Sequence, residues 1–200
     1  IANPIVLAGS NAWIAGANGP AGQQKIVTYA GAITGSGNLW IGIGNGGGRA
    51  TVVLGAQSSY SGDTYVVMAN NNGLVQLGID NALPATTNLI FGSGTAGQNP
   101  AVGPFDFNGH NLTVASLSPS TTGSVQGLFN TSSTPITLTL NGAKDATFKG
   151  VIGNTNTNIN PFNDNAPYKG VVSTYANISL VKNGAATQTL SPARNTIPSE

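Results

Sequence analysis

His110 is the single histidine of the chain, so any acid–base or nucleophilic triad would have to be built around it. Asp106 precedes it, and Ser116 and Ser118 follow, which supplies the residue types of a Ser-His-Asp site. Neither a nucleophile elbow nor an oxyanion loop accompanies them. The step Asn108-Gly109 directly before His110 reads instead as a turn, with the histidine as its polar exit.

Carboxylate chemistry is equally thin. The acids are Asp63, Asp80, Asp106, Asp145, Asp164 and Glu200, all isolated in sequence. Glycoside cleavage needs two carboxylates flanking one bond, and here that requires a fold that brings distant positions such as Asp80 and Asp106 together. Their positions in turns favour capping roles. Asn160, Asn163, Asp164 and Asn165 offer oxygen ligands with one charge among them, a better match to an Asn-rich turn than to a calcium site. Gly42-Ile43-Gly44-Asn45-Gly46-Gly47 has neither a following helix nor the Lys-Ser/Thr of a phosphate loop. Trp13 and Trp40 read as core or coil-end residues in preference to sugar platforms. No catalytic, cofactor-binding or metal-binding set is expected.

The elements that would position these residues are short. Runs rich in β-branched, aliphatic and aromatic residues recur at 5–7, 25–29, 39–43, 51–54, 65–68, 74–77, 89–91, 112–114, 136–140 and 178–181. Between them stand Asn-Gly, Gly-Gly, Ser-Gly and Asn-Asn steps, which turn the chain cheaply. No segment keeps helical apolar spacing over three turns, so almost no helix is expected. Only 6% of residues are charged, against 28 glycines and 24 asparagines in 200 residues. A surface of neutral polar turns must therefore keep the chain in solution. A net charge of +1 with scattered basic residues gives no electrostatic case for nucleic acid or an anionic membrane. No apolar run is long enough to span a bilayer, and no signal peptide opens the segment. With no cysteine, there is no disulfide framework.

Internal repetition is visible. Asn3-Pro4-Ile5-Val6-Leu7 returns as Thr134-Pro135-Ile136-Thr137-Leu138, and Tyr29 to Gly35 returns as Phe148 to Gly153, with Ile33 matched to Ile152. Residues 1–200 thus read as one β-solenoid unit: a full module of about 120–130 residues plus the start of a second copy, with 154–176 as an inserted loop. Phe162, Asp164, Tyr168 and Tyr175 in that insertion are candidate partner contacts, because loops on a rigid frame are where recognition tends to sit.

The stretch Gly73-Leu74-Val75-Gln76-Leu77-Gly78-Ile79-Asp80-Asn81-Ala82-Leu83-Pro84, continued through Asn88-Leu89-Ile90-Phe91-Gly92 and Phe105-Asp106-Phe107-Asn108-Gly109-His110-Asn111-Leu112-Thr113-Val114, resembles the passenger-associated transport repeat of bacterial autotransporters and other large secreted surface proteins. The likeness is best over residues 50 to 118. Leu180 to Ser191 resembles a further phase of that repeat, departing from it at Pro192, where glycine is usual. The resemblance implies a right-handed parallel β-helix, an extracellular or cell-surface location and a structural or adhesive role without enzymatic activity or cofactor.

Two rivals remain at this point. One is an antiparallel β-sandwich of a pilus-like subunit that donates its N-terminal strand, Pro4 to Leu7, to a neighbour, giving a self-assembling extracellular filament. The other is a carbohydrate-active β-helix enzyme. Expected partners are the chain itself, end to end or in a fibre, or glycans or proteins of a host or cell surface; nucleic acid and membrane insertion by this segment are not expected. Sheet geometry separates the sandwich from the solenoid.

Overall fold

A strand of only a few residues has too few neighbours to stand alone, and here each one pairs in parallel with a strand of a neighbouring coil. The computed structural model describes residues 1–16, 24–43, 49–68, 73–92, 104–119, 127–153 and 177–191. In chain order the strands are β1 (Ile5–Leu7), β2 (Asn11–Gly16), β3 (Gln24–Tyr29), β4 (Ile33–Gly35), β5 (Asn38–Ile43), β6 (Arg49–Leu54), β7 (Thr64–Met68), β8 (Gly73–Leu77) and β9 (Asn88–Phe91). They continue as β10 (Pro104–Asp106), β11 (Leu112–Val114), β12 (Ser116–Pro119), β13 (Gly127–Phe129), β14 (Ile136–Leu140), β15 (Ala146–Phe148), β16 (Val151–Ile152), β17 (Ile178–Lys182) and β18 (Gln188–Leu190). There is no helix among the described residues.

Every strand pairing among the described residues is parallel. One sheet runs β3-β6-β8-β10-β13-β16, a second β2-β5-β7-β9-β12, and shorter ones pair β1 with β4, β11-β14-β17, and β15 with β18. Consecutive strands fall in different sheets and the chain returns to each sheet one coil later, so the molecule is a parallel β-helix. The antiparallel sandwich is corrected by this geometry: Ile5–Leu7, in the segment that a sandwich subunit would donate, is already paired in parallel with Ile33–Gly35 of its own chain.

The coil length follows from the register. Thr51 faces Leu74 on the next coil, and the longer coil that follows sets Val75 against Phe105. The longest step of all sets Ile136 against Ile178. Gly127 still faces Val151, so the extra length of that step enters between β16 and β17. Insertions of this kind leave the strand stack intact because only the turns lengthen. The insertion itself, with Phe162, Asp164, Tyr168 and Tyr175, lies outside the described residues. Neither internal likeness joins strands of one sheet: Ile5 on β1 and Ile136 on β14 stand in different sheets, as do Ile33 on β4 and Ile152 on β16.

Side chains alternate across each strand, so one column per sheet faces the interior at every second position. Val52, Val75, Phe105 and Leu128 form such a column, as do Ile41, Val66 and Phe91, and all of them are fully buried. Burial of one such side chain is worth about 1.5–3 kcal/mol, and stacking gives each a neighbour above and below. Beyond the short β1–β4 pair, Ser59 and Ser61 still donate backbone bonds to the Ile33 and Gly35 carbonyls, at 2.9 and 3.0 Å. Between them the Tyr60 hydroxyl bonds Thr64, which meets the Thr87 hydroxyl at 2.8 Å, and Thr87 donates to the Gly62 carbonyl at 3.0 Å. Burial pushes the Tyr60 phenol far above its ordinary pKa, so it remains a neutral donor throughout the ordinary pH range.

At the join of β12 with the next coil a side chain replaces a backbone partner. The Gln188 amide accepts from the Leu117 N–H at 3.0 Å and donates to the Leu117 carbonyl at 2.9 Å, reaching past Ala146, whose carbonyl lies 3.3 Å from the same nitrogen. β12 is thereby tied to β18 across an intervening strand.

Candidate functional site

The triad residue types come together only in part. His110 Nδ1 lies 3.1 Å from Asp80 Oδ1, not beside Asp106, and the Ser116 hydroxyl donates to Asn88 Oδ1 at 2.8 Å. Asp80 also accepts from the Asn111 backbone N–H at 3.1 Å and from its side-chain amide at 3.0 Å. These bonds, the Asn111 amide foremost, hold the Asp80 carboxyl below its usual pKa against a smaller opposing effect of burial. The arrangement is a turn on one coil clamped to the turn on the next.

Asp106 serves a separate cluster. It is 1% exposed, and its two oxygens accept from Gln76 Nε2 at 2.9 Å, the Asn108 N–H at 2.9 Å, the Thr131 N–H at 3.0 Å and the Thr131 hydroxyl at 2.6 Å. Its partners come from three successive coils. Asp80 and Asp106 thus hold two different sets of neighbours. Asn130, also buried, accepts from the Gly109 N–H at 2.9 Å and donates to the Thr134 carbonyl at 2.8 Å.

The same device recurs at coil corners, where an Asn or Asp side-chain oxygen accepts a backbone N–H from the next coil. Asn38 receives Asp63 at 2.9 Å, Asn81 receives Thr113 at 2.9 Å, Asn111 receives Thr137 at 2.8 Å and Asp145 receives Thr187 at 2.7 Å. Corners leave backbone groups that no strand ladder reaches, and a short amide or carboxylate satisfies them without leaving the stack. Asn38, Asn81 and Asn111 are accounted for by this without any ligand. Among the described residues no group of three or more His, Cys, Asp and Glu is placed to hold a metal ion. The Asn160 to Asn165 patch lies outside them.

One surface differs in kind. On the outer face of the β2-β5-β7 sheet, Trp13, Trp40 and Tyr65 occupy one column. Trp40 and Tyr65 are stacked with centroids 4.3 Å apart and planes at 9°, while Trp13 sits 5.0 Å from Trp40 and is tilted by 33°. Trp13 leans over Gly42: a Cβ placed on that glycine would lie 3.0 Å from the indole ring. Trp40 is covered to 9% exposure and Trp13 is left 57% exposed. Beside the rings runs a polar ladder in which Asn38 Nδ2 and Trp40 Nε1 both donate to Asn11 Oδ1, at 3.1 and 3.3 Å, and Asn88 Nδ2 donates to Asp63 Oδ1 at 2.7 Å. Trp40 is thus a buried residue, in a small cluster with Val67 apart from the main core, while Trp13, on the first coil described, is mostly exposed. Tyr65 was the member of this column that composition and motif left unseen, and its signal is spacing: Trp13, Trp40 and Tyr65 follow one another at intervals of a single coil, the same intervals that separate Asn11, Asn38 and Asp63.

No protein-family model matches the chain, and no curated protein or solved structure matches it either.

Proposed function

We propose that this chain is a structural and adhesive module of an extracellular bacterial surface protein, a rod that holds other parts away from the cell, without enzymatic activity of its own. The observation that carries the reading is the use made of its polar residues. Asp80, Asp106, His110 and Asn130 are engaged in bonds that join one coil to the next. Chemistry-capable side chains committed to coil-to-coil cohesion are what a load-bearing solenoid needs. The low charge and the neutral polar turns suit a rod that works in contact with other surfaces, and the resemblance to autotransporter passenger repeats points to the same setting.

The test is accessibility in the native cell. Antibody raised against residues 1–200 should label intact cells, and external protease should remove the epitope without lysis. Labelling that appears only after permeabilisation refutes the location. The enzymatic rival is addressed by a polysaccharide-cleavage screen of the chain with its Asp80→Asn and Asp106→Asn variants; turnover by the parent that either variant abolishes overturns the structural reading.

A further inference from the structure

Where β12 should meet the coil above it, a ladder is missing. β10 pairs with β13 and β11 with β14 at that level, whereas β15 lies over β12 and pairs with β18. No backbone hydrogen bond joins β12 to β15 among the described residues. The corner just before it is intact, since the Asn141 and Gly142 N–H groups donate to the Val114 and Ala115 carbonyls at 3.0 and 2.8 Å. The solenoid therefore carries a seam on one side, between coils that remain bonded elsewhere.

The sequence accounts for the break. Donors along a strand alternate between its two neighbours, so Leu117 turns toward the coil above and the next donor in that direction would belong to residue 119. That residue is Pro119, which has no N–H to give. On the facing strand the Ala146 N–H is spent toward β18, on the Thr187 carbonyl at 2.9 Å, which leaves Thr147 turned toward β12. Leu117 is matched by a side chain instead: Gln188 Oε1 accepts its N–H at 3.0 Å and Gln188 Nε2 donates to its carbonyl at 2.9 Å. A carboxamide carries the donor and acceptor of a peptide group, so Gln188 stands in for the absent strand. Ala146, the residue it passes, offers only a methyl group in its way. Phe148 anchors β15 in the core against Phe91, with ring centroids 5.5 Å apart, but apolar contact is non-directional and fixes no ladder register.

We propose that Gln188 is a latch on this seam, and that on its release the β15–β18 pair opens from β12 as a unit while β10-β13-β16 and β11-β14-β17 stay paired. An unpaired strand edge in the side of a rod is a template for another chain, and the latch keeps that edge covered at Leu117. The inference stands on the ladder break and the two amide bonds, and is independent of the location and adhesive role proposed above.

Residue-resolved amide hydrogen exchange on the whole chain tests it, with Gln188→Ala and with Gln188→Met, which removes the amide but keeps an unbranched side chain of similar length. In both variants the Leu117 N–H should exchange at least about tenfold faster than in the parent. The Ala146 and Ser191 N–H groups, which bond within the β15–β18 pair, should keep the parent's rates, as should the amides of β13 and β14. The chain has no cysteine, so a thiol reports the same opening chemically. Leu117 and Val52 are both fully buried. Adding Gln188→Met should speed thiol modification of Leu117→Cys but not of Val52→Cys, far from the seam. Protection of Leu117 retained in Gln188→Met overturns the proposal, because bulk rather than the amide would then close the seam. Ala146 and Ser191 exchanging faster along with Leu117 would show fraying of the pair, and a rise at Val52→Cys would show a loss of global stability; either result also overturns it.

Discussion

Asp106 offers the sharpest test of whether buried polar residues in this chain are cohesive. Its carboxylate is 1% exposed and accepts four hydrogen bonds, all from neutral donors. Truncation in Asp106→Ala strands the Gln76 amide, the Thr131 hydroxyl and the N–H groups of Asn108 and Thr131. Bonds to an ionised acceptor contribute about 1.5–3 kcal/mol each. Each buried donor left unsatisfied costs about 1–3 kcal/mol and members of one cluster are not additive, so the expected loss is about 3–5 kcal/mol.

Asp106→Asn behaves differently on the same geometry. The remaining oxygen keeps the two backbone N–H groups, and the new amide nitrogen faces Gln76 and Thr131. Gln76 can reverse its amide and Thr131 can rotate its hydroxyl to accept, so the two contacts with residue 106 are kept. The expected loss is then about 1 kcal/mol, one neutral hydrogen bond's worth. Urea unfolding followed by far-ultraviolet circular dichroism and by tryptophan fluorescence measures both variants. Because Asp106 bonds three successive coils, Asp106→Ala should also separate the two signals, the coils carrying Trp13 and Trp40 unfolding apart from those beyond β10. An Asn variant as damaged as the Ala variant would refute the reasoning, since it would mean that the negative charge itself is needed. Retained stability in both would refute it from the other side.

Three further outcomes follow from the structure. Phe105→Ala, which empties one position of the fully buried Val52-Val75-Phe105-Leu128 column, should cost about 3–5 kcal/mol in denaturant unfolding. Gly42→Ala would place a methyl 2.8 Å from the Val67 carbonyl and 3.0 Å from the Trp13 ring; the indole should lift, shifting emission to longer wavelength, at a stability cost of about 1–3 kcal/mol. Asp80, whose carboxyl is held low chiefly by the Asn111 amide, contributes stability that is fully present above its unfolded pKa of about 4 and is lost as pH falls through its lower folded value. Thermal midpoints measured on acidification should therefore fall less steeply in Asp80→Asn than in the parent.

The architecture was legible in the sequence where turn and strand residues alternate densely. The runs at 51–54, 74–77, 89–91 and 112–114 are strands of the structure, bounded by the glycine and asparagine steps that mark them. β10, β13 and β16 were not legible, because Pro104–Asp106, Gly127–Phe129 and Val151–Ile152 are very short and contain a proline or glycine or end at one. Such strands exist only because a coil below supplies their partners, a tertiary effect that no local pattern encodes. The same holds for Asp80 and His110, which are far apart in sequence and meet because one coil separates them.

The coil period itself was nevertheless written in the chain, at a shorter spacing than the likenesses of Ile5 to Ile136 and Ile33 to Ile152. Asn11-Ala12-Trp13-Ile14, Asn38-Leu39-Trp40-Ile41, Asp63-Thr64-Tyr65-Val66 and Asn88-Leu89-Ile90-Phe91 repeat one pattern, once per coil. The first position bonds across the coil corner, the second and fourth enter the core, and the third faces outward. Three of those four duties are needed to build any coil. The outward position is free of them, and on the fourth coil an isoleucine fills it without disturbing the stack. Aromatic rings at that position on three successive coils are therefore a property the fold permits but does not demand.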